Sequence, residues 1–324
     1  MIALFLLACS STPQVSEVRG EALGTTWSVK WVGPQRDWVD VAVADALNEV
    51  DRGMSTWRQD SEINRIRSNE GPIEVSQGTY EVVVAALEIA DKSGGAFDPT
   101  VQPLVELWGF HGKRRTTLPS DEELASARAL VGYGKVSTLG EQGRWVDGGG
   151  TALDLSAIAK GHAVDRVSEA VSELGLSNHL VEVGGEVRAV GVGRNGSGWR
   201  LGVDTPEAGL APGEKLAAVV TLHDRSMATS GNYRNSYTIG SVEIGHTLDP
   251  RTGRPAENTV RSATVVAPDC RTADGWATAL MVLGAEGLPL IEAEPEVDAL
   301  LLVEAAEGYT QLQSSQMRRV LSEK

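Results

Sequence analysis

The chain has 324 residues, enough for one large domain or two smaller ones with a substantial core. Hydrophobic residues make up 41% and charged residues 23%, which is typical of a globular protein. The net charge of −15 argues against nonspecific nucleic-acid binding, which requires a basic surface. The basic run Lys113-Arg114-Arg115 is typical of a solvated loop.

The N-terminus has the pattern of a bacterial lipoprotein signal. An apolar run from Ile2 leads to Leu6-Leu7-Ala8-Cys9-Ser10-Ser11, which resembles a lipobox, and a short polar stretch follows. We therefore expect lipidation of Cys9 and an extracytoplasmic protein that is lipid-anchored to a membrane. A plain secretory signal or a merely apolar N-terminus is the alternative. The expected division is a signal peptide at 1–8, a tether at 9–19 and the folded domain at 20–324.

The cysteines do not predict a disulfide framework. Only two occur, and once Cys9 carries lipid, Cys270 has no intramolecular partner. Beyond the N-terminal run, we identify no segment long and apolar enough to span a bilayer. Contact with a membrane is therefore expected through the lipid anchor only.

The first half of the chain predicts helices around a few short strands. Residues 25–31 alternate like a strand, and residues 37–51 have helical spacing of apolar positions. Further helices are predicted at 61–66 and 77–91, the second ended by Gly94-Gly95. Ser120-Asp-Glu-Glu123 is a capping box that opens a helix to about Leu130. Two short strands are predicted between Lys135 and Trp145.

The second half is rich in strands. A helix is predicted at 161–174, strand-like runs with glycine turns fill 179–266, and a helix follows at 273–283. After a further short helix, a strand at 299–303 leads to a hairpin turn at Glu307-Gly308. Because helices and strands do not alternate regularly, the predicted fold class is α+β with antiparallel or mixed sheets and helices packed on them.

Several familiar motifs are absent or misleading. Gly191-Val-Gly-Arg-Asn-Gly196 matches the dinucleotide fingerprint, but it leads into a strand rather than a helix, so we interpret it as a hairpin turn. The sequence lacks a P-loop, Cys-x-x-Cys and His-Glu-x-x-His zinc motifs, and a Gly-x-Ser-x-Gly nucleophile elbow.

Two segments place carboxylates where chemistry is possible. Asp154 lies between a short apolar strand and a helix. Asp274 and Thr278 are four residues apart in a helical stretch, so their side chains share one face. A carboxylate, a hydroxyl and a nearby carbonyl are the oxygen ligands that Mg²⁺ takes. The alternative is that Asp274 only caps the helix N-terminus.

Three glycine-containing stretches are further candidates for a ligand site. His246-Thr-Leu-Asp-Pro-Arg-Thr-Gly253 combines a histidine with tight-turn residues, and its alternative is a hairpin loop with a surface histidine. The hydroxyls and amides of Thr229–Arg234 could hold a phosphate, or they could form an ordinary turn. Gly94–Thr100 adds a Gly-Gly backbone, an aromatic ring and a carboxylate.

Together these segments resemble the ApbE-type flavin transferases, the FAD:protein FMN transferases, from Gly20 to about Val303. The matching pieces occur in family order. They are Leu23-Gly-Thr-Thr-Trp27, Met54-Ser-Thr-Trp-Arg58, Gly95-Ala-Phe-Asp-Pro-Thr100, Leu153-Asp-Leu-Ser-Ala-Ile-Ala-Lys-Gly161, Glu182-Val-Gly-Gly-Glu186, Ala228-Thr-Ser-Gly231, His246-Thr-Leu-Asp-Pro-Arg-Thr-Gly253 and Ala273-Asp-Gly-Trp-Ala-Thr278. The resemblance implies that residues 20–324 form a flavin transferase domain with an ApbE-like fold related to T-folds.

The resemblance also implies site residues. The family's metal positions correspond to the carbonyl of Ala157, the carboxylate of Asp274 and the hydroxyl of Thr278, with Mg²⁺ as the metal and Mn²⁺ as an alternative. FAD, as substrate, would contact Leu23, Trp57, Ala96, Phe97, Asp98, Asp154, Lys160 and Leu248. Leu23 and Trp57 depart from the family, which commonly has Met and Tyr there, but both keep an apolar or aromatic surface.

The implied reaction moves FMN from FAD to a Thr or Ser hydroxyl of an acceptor protein and releases AMP. His246 is the expected general base, because an imidazole titrates near neutral pH, and Asp249 is a second choice. Implied acceptors are extracytoplasmic flavoproteins such as subunits of quinone reductases or electron carriers. The alternatives are an FAD pyrophosphatase that yields FMN and AMP, and a non-catalytic FAD-binding lipoprotein.

Overall fold

The fold is built on an eight-stranded antiparallel sheet with strand order β1-β2-β6-β7-β10-β15-β16-β17. The computed structural model describes residues 13–140, 143–207, 209–232 and 236–322. The strands of the large sheet are β1 Val15–Ala22, β2 Thr25–Val32, β6 His179–Val183, β7 Glu186–Val190, β10 Arg225–Gly231, β15 Val260–Ala267, β16 Asp298–Glu304 and β17 Tyr309–Gln313. Every strand pairing within the described ranges is antiparallel, which confirms the α+β prediction.

Eight α-helices lie in the described ranges, and those that contact the large sheet cover one of its faces. The eight helices are α1 Val39–Met54, α2 Glu62–Ser68, α3 Gln77–Lys92, α4 Gln102–Leu107, α5 Asp121–Leu130, α6 Ala159–Glu173, α7 Cys270–Leu283 and α8 Leu288–Ala293. The predicted apolar stripe of α1 is buried at Val43, Leu47 and Val50, as expected for one face of an amphipathic helix. Ser120 and Glu123 form the predicted capping box at the start of α5.

Smaller sheets complete the structure. They are β8 Trp199–Asp204 with β9 Leu216–Leu222 and β18 Leu321–Ser322, β3 Ile73–Glu74 with β4 Ser137–Leu139 and β5 Trp145–Asp147, the pair β11 Ser236–Ile239 and β12 Val242–Gly245, and the pair β13 Leu248–Asp249 and β14 Arg254–Pro255. Alternate residues of β10 supply two cores, since Ala228 packs with the helices and Met227 with β8 and β9.

A third apolar cluster supports the loops on one side of the molecule. Leu104, Trp108 and Leu124 pack with Ile244 and Leu248. The indole N–H of Trp108 donates to the carbonyl of Gly253 at 2.8 Å. This cluster fixes the β13–β14 hairpin against α4 and α5.

One helical stretch, Cys270–Ala293, would pass as a membrane span by length and composition alone among the described residues. It consists of α7, a 3₁₀ turn and α8. Half of its most apolar window is buried, and Trp276 and Leu280 of α7 lie in the main core. Burial of most of α7 in the core of a globular domain explains the apolar composition of this stretch.

The structure differs from the predicted elements at three places. Residues 15–19, which we assigned to the tether, belong to β1, whose edge position left it without a clear apolar alternation. The apolar residues directly before Asp154 do not form the predicted strand. The turn at Gly191–Gly196 is no hairpin, because it joins β7 of the large sheet to β8 of a small one. The expected lipidation site, Cys9, lies outside the described residues.

Candidate active site

A cleft of about 400 Å³ forms where the end of β10, the start of α6 and one face of α7 meet the loops after α1 and α3. All predicted site residues of the described chain line it, except Leu23 and Asp249. The lining residues are Thr56, Trp57, Ala96, Phe97, Asp98, Val101, Val105, Phe110, His111, Asp154, Ser156, Ala157, Lys160, Ser230, His246, Thr247, Leu248, Pro250, Asp274 and Thr278.

Leu23 lines an adjoining cleft of about 560 Å³ that shares Trp57 and Lys160 with the first. It lies in the β1–β2 turn with φ 52°, followed by Gly24 with φ 73°. Two successive positive φ values are typical of a type I′ hairpin turn, in which glycine is favoured because it has no Cβ. The turn therefore brings Leu23 to the adjoining cleft, which Trp57 and Lys160 also line.

Aromatic side chains form one wall of the cleft. The Trp57 side chain is highly exposed, at 73%, and its ring centroid lies 4.2 Å from that of His111. Phe97 is buried beside it and joins the main core. An exposed indole with one tilted ring contact keeps aromatic surface available to a planar ring.

The turn after α3 is held by Asp98. Its Oδ1 accepts the backbone N–H of Thr100 at 2.8 Å and the Thr100 hydroxyl at 2.6 Å, and its Oδ2 accepts the N–H of Tyr133 at 3.0 Å. Burial raises the pKa of the Asp98 carboxyl, against the lowering effect of these hydrogen bonds. Both oxygens are engaged within the protein, so Asp98 shapes the cleft wall.

A second turn precedes α6. The N–H of Asp154 donates to the carbonyl of Pro99 at 2.7 Å, and Oδ1 of Asp154 accepts the N–H of Ser156 at 2.9 Å. These bonds join the segment before α6 to the Asp98 turn. They place Ala157 and Lys160 on the cleft, one just before the helix and one in its first turn.

Asp274 lies on the cleft floor with only 2% exposure. Its Oδ2 accepts the N–H of Gly161 at 2.9 Å, in the first turn of α6. Asp274 is not the cap of α7, because the helix begins earlier, at Cys270, and Asp269 accepts the N–H of Thr272. The expectation that Asp274 and Thr278 share one helix face is confirmed.

Close packing of α6 against α7 makes this contact possible. A methyl group at Gly161 would overlap the carbonyl oxygen of Cys270. Thr278, one turn beyond Asp274, has its hydroxyl 3.3 Å from that of Ser230 at the end of β10. Strand and helix thus bring two hydroxyls and a carboxylate to one place.

Lys160 connects two buried carboxylates. Its Nζ lies 2.7 Å from Oε1 of Glu186, the first residue of β7, and 3.5 Å from Oδ1 of Asp274. Burial lowers the pKa of Lys160, but attraction to Asp274 and Glu186 outweighs that effect and the pKa is raised. Burial raises the pKa of Glu186 to about 7, opposed by Lys160 and reinforced by Asp274. Oε2 of Glu186 is buried without a hydrogen-bond partner within the described ranges.

The oxygens on the cleft floor are of the kind that a magnesium ion takes when the substrate and water supply its other ligands. No group of three or more His, Cys, Asp or Glu residues gathers to hold a metal in the part of the chain that the structure describes. Mg²⁺ commonly uses one or two carboxylates together with substrate phosphates and water. Asp274, Thr278 and the carbonyl of Ala157, which all belong to cleft-lining residues, are oxygen donors of that kind.

The two candidate bases occupy different environments. His246 lines the cleft, with its ring centroid 6.4 Å from that of Phe110. Asp249 does not line it. Its carboxylate oxygens accept from the guanidinium of Arg251, both at 2.9 Å, in a fork-like pair. The arrangement favours His246 over Asp249 as the group that faces a substrate.

Sequence reasoning assigned no role to Glu186, Phe110 or His111. Glu186 had a usable signal, because a carboxylate directly after Gly-Gly opens an apolar strand and is therefore expected to be buried. Phe110 and His111 follow α4 in an irregular loop and had none. Of the predicted phosphate-holding stretch, Thr229–Gly231 forms the end of β10 rather than a turn, and Tyr233 and Arg234 lie outside the described residues.

Comparison with known proteins gives a consistent result. The sequence pattern of the ApbE family matches residues 23–301. An FAD:protein FMN transferase of Vibrio cholerae is 36% identical over 327 residues, which cover 98% of this chain and 96% of that protein. A solved flavin transferase ApbE from Vibrio cholerae superposes with a TM-score of 0.84 at 33% identity, covering 95% of this chain and 100% of the other.

A second solved structure, the apo form of the Pseudomonas stutzeri flavinyl transferase ApbE, also superposes with a TM-score of 0.84. Its identity is 32%, and the match covers 96% of this chain and 98% of that one. Similarity in sequence and in fold therefore extends over nearly the whole chain.

Proposed function

This chain belongs to the ApbE family of flavin transferases, and from that premise we propose that it transfers the FMN moiety of FAD to a Thr or Ser hydroxyl of an acceptor protein and releases AMP. The observation that carries the proposal is the meeting of an aromatic wall and a floor of hard oxygens in one cleft. Trp57 would offer a surface for the isoalloxazine, and Asp274 and Thr278, which line the same cleft, would help to neutralise the charge of the pyrophosphate.

The reaction is a phosphoryl transfer. The acceptor oxygen forms a bond to the phosphorus of the FMN phosphate, and the bond from that phosphorus to the bridging oxygen breaks. The electron pair leaves with AMP. Such transfers depend on positioning and electrostatic stabilisation more than on a covalent enzyme intermediate. The nucleophile belongs to the acceptor, so the cleft needs no activated Ser or Cys of its own.

The residues of the cleft would have separate roles in this reaction. His246 takes the proton of the acceptor hydroxyl, since it lines the cleft and an imidazole titrates near neutral pH. Lys160 adds positive charge beside the pyrophosphate, and Glu186 holds it in place. Ala157, Asp274 and Thr278 would hold Mg²⁺, with Mn²⁺ as a substitute. When bound, the ion supplies Lewis-acid neutralisation of the phosphate oxygens.

We further propose that the protein is extracytoplasmic and lipid-anchored through Cys9, because the sequence around Cys9 resembles a lipobox. Its acceptors would then be extracytoplasmic flavoproteins, such as subunits of quinone reductases or electron-transfer proteins. Cys9→Ala should release the protein from the membrane fraction. Wild-type protein recovered wholly in the soluble fraction, without lipid mass on Cys9, would refute the anchor.

The decisive experiment incubates the protein with FAD and Mg²⁺, with and without a purified extracytoplasmic acceptor domain. We expect AMP release that depends on the acceptor, and an acceptor whose mass increases by one FMN at a Thr or Ser. The control is an acceptor in which that residue is changed to Ala. AMP and FMN produced at the same rate without acceptor would instead identify an FAD pyrophosphatase.

A further inference from the structure

The chain enters the fold at the base of the β1–β2 hairpin. Val15 pairs with Val32, and the carbonyl of Gln14 accepts the N–H of Gly33 at 2.8 Å. Gln14 therefore lies beside the loop that joins β2 to α1. Any anchor on Cys9 is attached to this end of the molecule.

Four exposed apolar side chains lie on elements that reach the same end. Trp38, at the start of α1, is 70% exposed, and Val41, three residues later on the helix surface, is 46% exposed. Val15 is 38% exposed, and Leu174, at the end of α6, is 40% exposed. A hydrogen bond of 2.9 Å from the N–H of Val32 to the carbonyl of Asn178 ties the turn after α6 to the end of β2. We call Val15, Trp38, Val41 and Leu174 the anchor-end surface.

The backbone conformation of Trp38, whose side chain is exposed, is energetically unfavourable. Trp38 is the N-cap of α1, with φ 70° and ψ 0°, and its side chain makes no cap hydrogen bond. A bulky residue rarely adopts this left-handed conformation. Ser, Thr, Asp or Asn would cap the helix better. The unfavourable backbone and the exposed ring together make Trp38 a candidate contact for a partner.

Three elements run from the anchor-end surface to the flavin cleft. The β1–β2 hairpin ends at Leu23, α1 runs into the segment that carries Trp57, and α6 starts beside Lys160. Eight strand residues span about 26 Å, and the sixteen residues of α1 span about 24 Å. The cleft and the anchor-end surface are therefore at opposite ends of the same three elements.

We propose that the anchor-end surface rests on the lipid headgroup region and that the flavin cleft opens away from the membrane. The proposal rests on the lipid anchor proposed above. Four residues separate Cys9 from Gln14, and five residue steps reach at most about 18 Å, so the anchor keeps this end of the body near the bilayer. Tryptophan favours the membrane–water interface, where its ring is apolar and its N–H remains hydrated.

The charges beside Trp38 decide which kind of lipid contact is expected. Arg36, Asp37 and Asp40 are exposed near it, so this stretch has no basic excess that would attract anionic lipids. The contact should therefore depend on apolar insertion of the indole and respond little to salt. An acceptor protein would meet the cleft from the aqueous side, at a height of about 25 Å, which is the length of the hairpin and of α1.

Site-specific labels test this orientation in the full-length protein in its native membranes. Val41→Cys and Val242→Cys are matched sites, since both valines are 46% exposed, and Val242 lies in the β11–β12 hairpin, whose Ile244 packs with cleft-lining Leu248. Cys270 is buried and should not react with the dye. With an environment-sensitive dye and nitroxide-bearing lipids, we expect strong quenching and a blue shift at position 41 and neither at position 242.

Trp38→Ser should reduce quenching at position 41 at least about twofold while leaving FMN transfer to a soluble acceptor unchanged, since Trp38 does not line the cleft. Equal quenching at both positions, or none at either in membrane-bound protein, would overturn the orientation. A shielded but unquenched label at position 41 would show a protein partner instead and also overturn it. Protein absent from the membrane fraction would overturn the anchor and this proposal together.

Discussion

The ammonium of Lys160 lies 2.7 Å from the carboxylate of Glu186, which ties the first turn of α6 to the start of β7 on the cleft floor. The same ammonium is 3.5 Å from Asp274. Two buried carboxylates that share one lysine leave an excess of negative charge whenever both are ionised. The ammonium of Lys160 is therefore closer to Glu186 than to Asp274, whose Oδ2 accepts the N–H of Gly161.

Glu186→Gln should weaken magnesium binding. The glutamine keeps the size of the side chain but removes one negative charge and the charged partner of Lys160, so the ammonium can move toward Asp274. We expect a loss of roughly 10- to 100-fold in apparent Mg²⁺ affinity, the range seen when partners of metal ligands are removed. Binding is measured by the Mg²⁺ dependence of the melting temperature. The Mg²⁺ dependence of the FMN transfer rate is measured next.

Glu182→Gln is the matched control for this variant. Glu182 lies at the end of the neighbouring strand and accepts the N–H of Gly185 at 2.8 Å, but it does not line the cleft. Its magnesium dependence should equal that of the wild type. If Glu186→Gln also behaved as the wild type, Glu186 would have no role in positioning Lys160.

Asp274→Ala should abolish AMP release while FAD binding largely persists, because the aromatic wall supplies contacts that do not involve Asp274. We expect at least a roughly 10³-fold lower rate, or about 4 kcal/mol of lost transition-state stabilisation. Since Asp274 also accepts the N–H of Gly161, Asp274→Asn should be tested beside it to preserve packing. Flavin fluorescence quenching measures binding, and chromatography of AMP measures the reaction.

Asp269→Asn is the control for the loss of charge on α7, because asparagine caps a helix as well as aspartate does. It should retain normal turnover. Turnover at the wild-type rate by either Asp274 variant in Mg²⁺ would exclude Asp274 as a metal ligand.

His246→Asn should slow FMN transfer by roughly 10²- to 10⁴-fold, the usual effect of losing a general base. FAD affinity should change little, because the imidazole is proposed to face the incoming hydroxyl. In the wild type, transfer should fall at acidic pH as the imidazole takes up a proton. The variant should lose that acidic limb, which a pH series of single-turnover rates would reveal.

His223→Asn serves as the control, since His223 is exposed and pairs with Asp224 away from the cleft. A His246→Asn enzyme that kept the wild-type acidic limb would assign the proton to another group. A slow variant with strongly weakened FAD binding would instead mean that His246 shapes the turn.

His162→Gln should make the fold less sensitive to acid. His162 is 3% exposed, and burial, with help from Arg271 and Arg166, lowers its pKa from 6.5 to about 3. Between those values the unfolded chain binds more protons, so stability is present above pH 6.5 and is lost as pH falls. Between pH 7 and pH 5 this group should remove about 2 kcal/mol of unfolding free energy.

Urea unfolding at pH 7 and pH 5 measures this difference. The variant should lose less stability than the wild type over that interval, even if its stability at pH 7 is lower. His223→Gln, at an exposed position, should keep the wild-type pH dependence. Equal pH dependence of His162→Gln and wild type would mean that His162 binds protons equally in the folded and the unfolded chain.

Local pattern was enough to predict much of this protein. The spacing of Asp274 and Thr278 fixed a shared helix face, because helical periodicity acts over four residues. The same holds for the buried stripe of α1 and the capping box at Ser120. The ordered motifs from Leu23 to Thr278 indicated the family, since they span nearly the whole domain.

Tertiary structure decided what depends on pairing between distant residues. Lys160 meets Asp274 across 114 positions in the chain, and only the packing of α6 on α7 creates that contact. Asp249 looked like a candidate base, yet its geometry pairs it with Arg251. β1 became a strand through the register of its neighbour β2. Hydrogen-bond partners across a sheet and charges that meet in a cleft are set by long-range packing, which local periodicity does not encode.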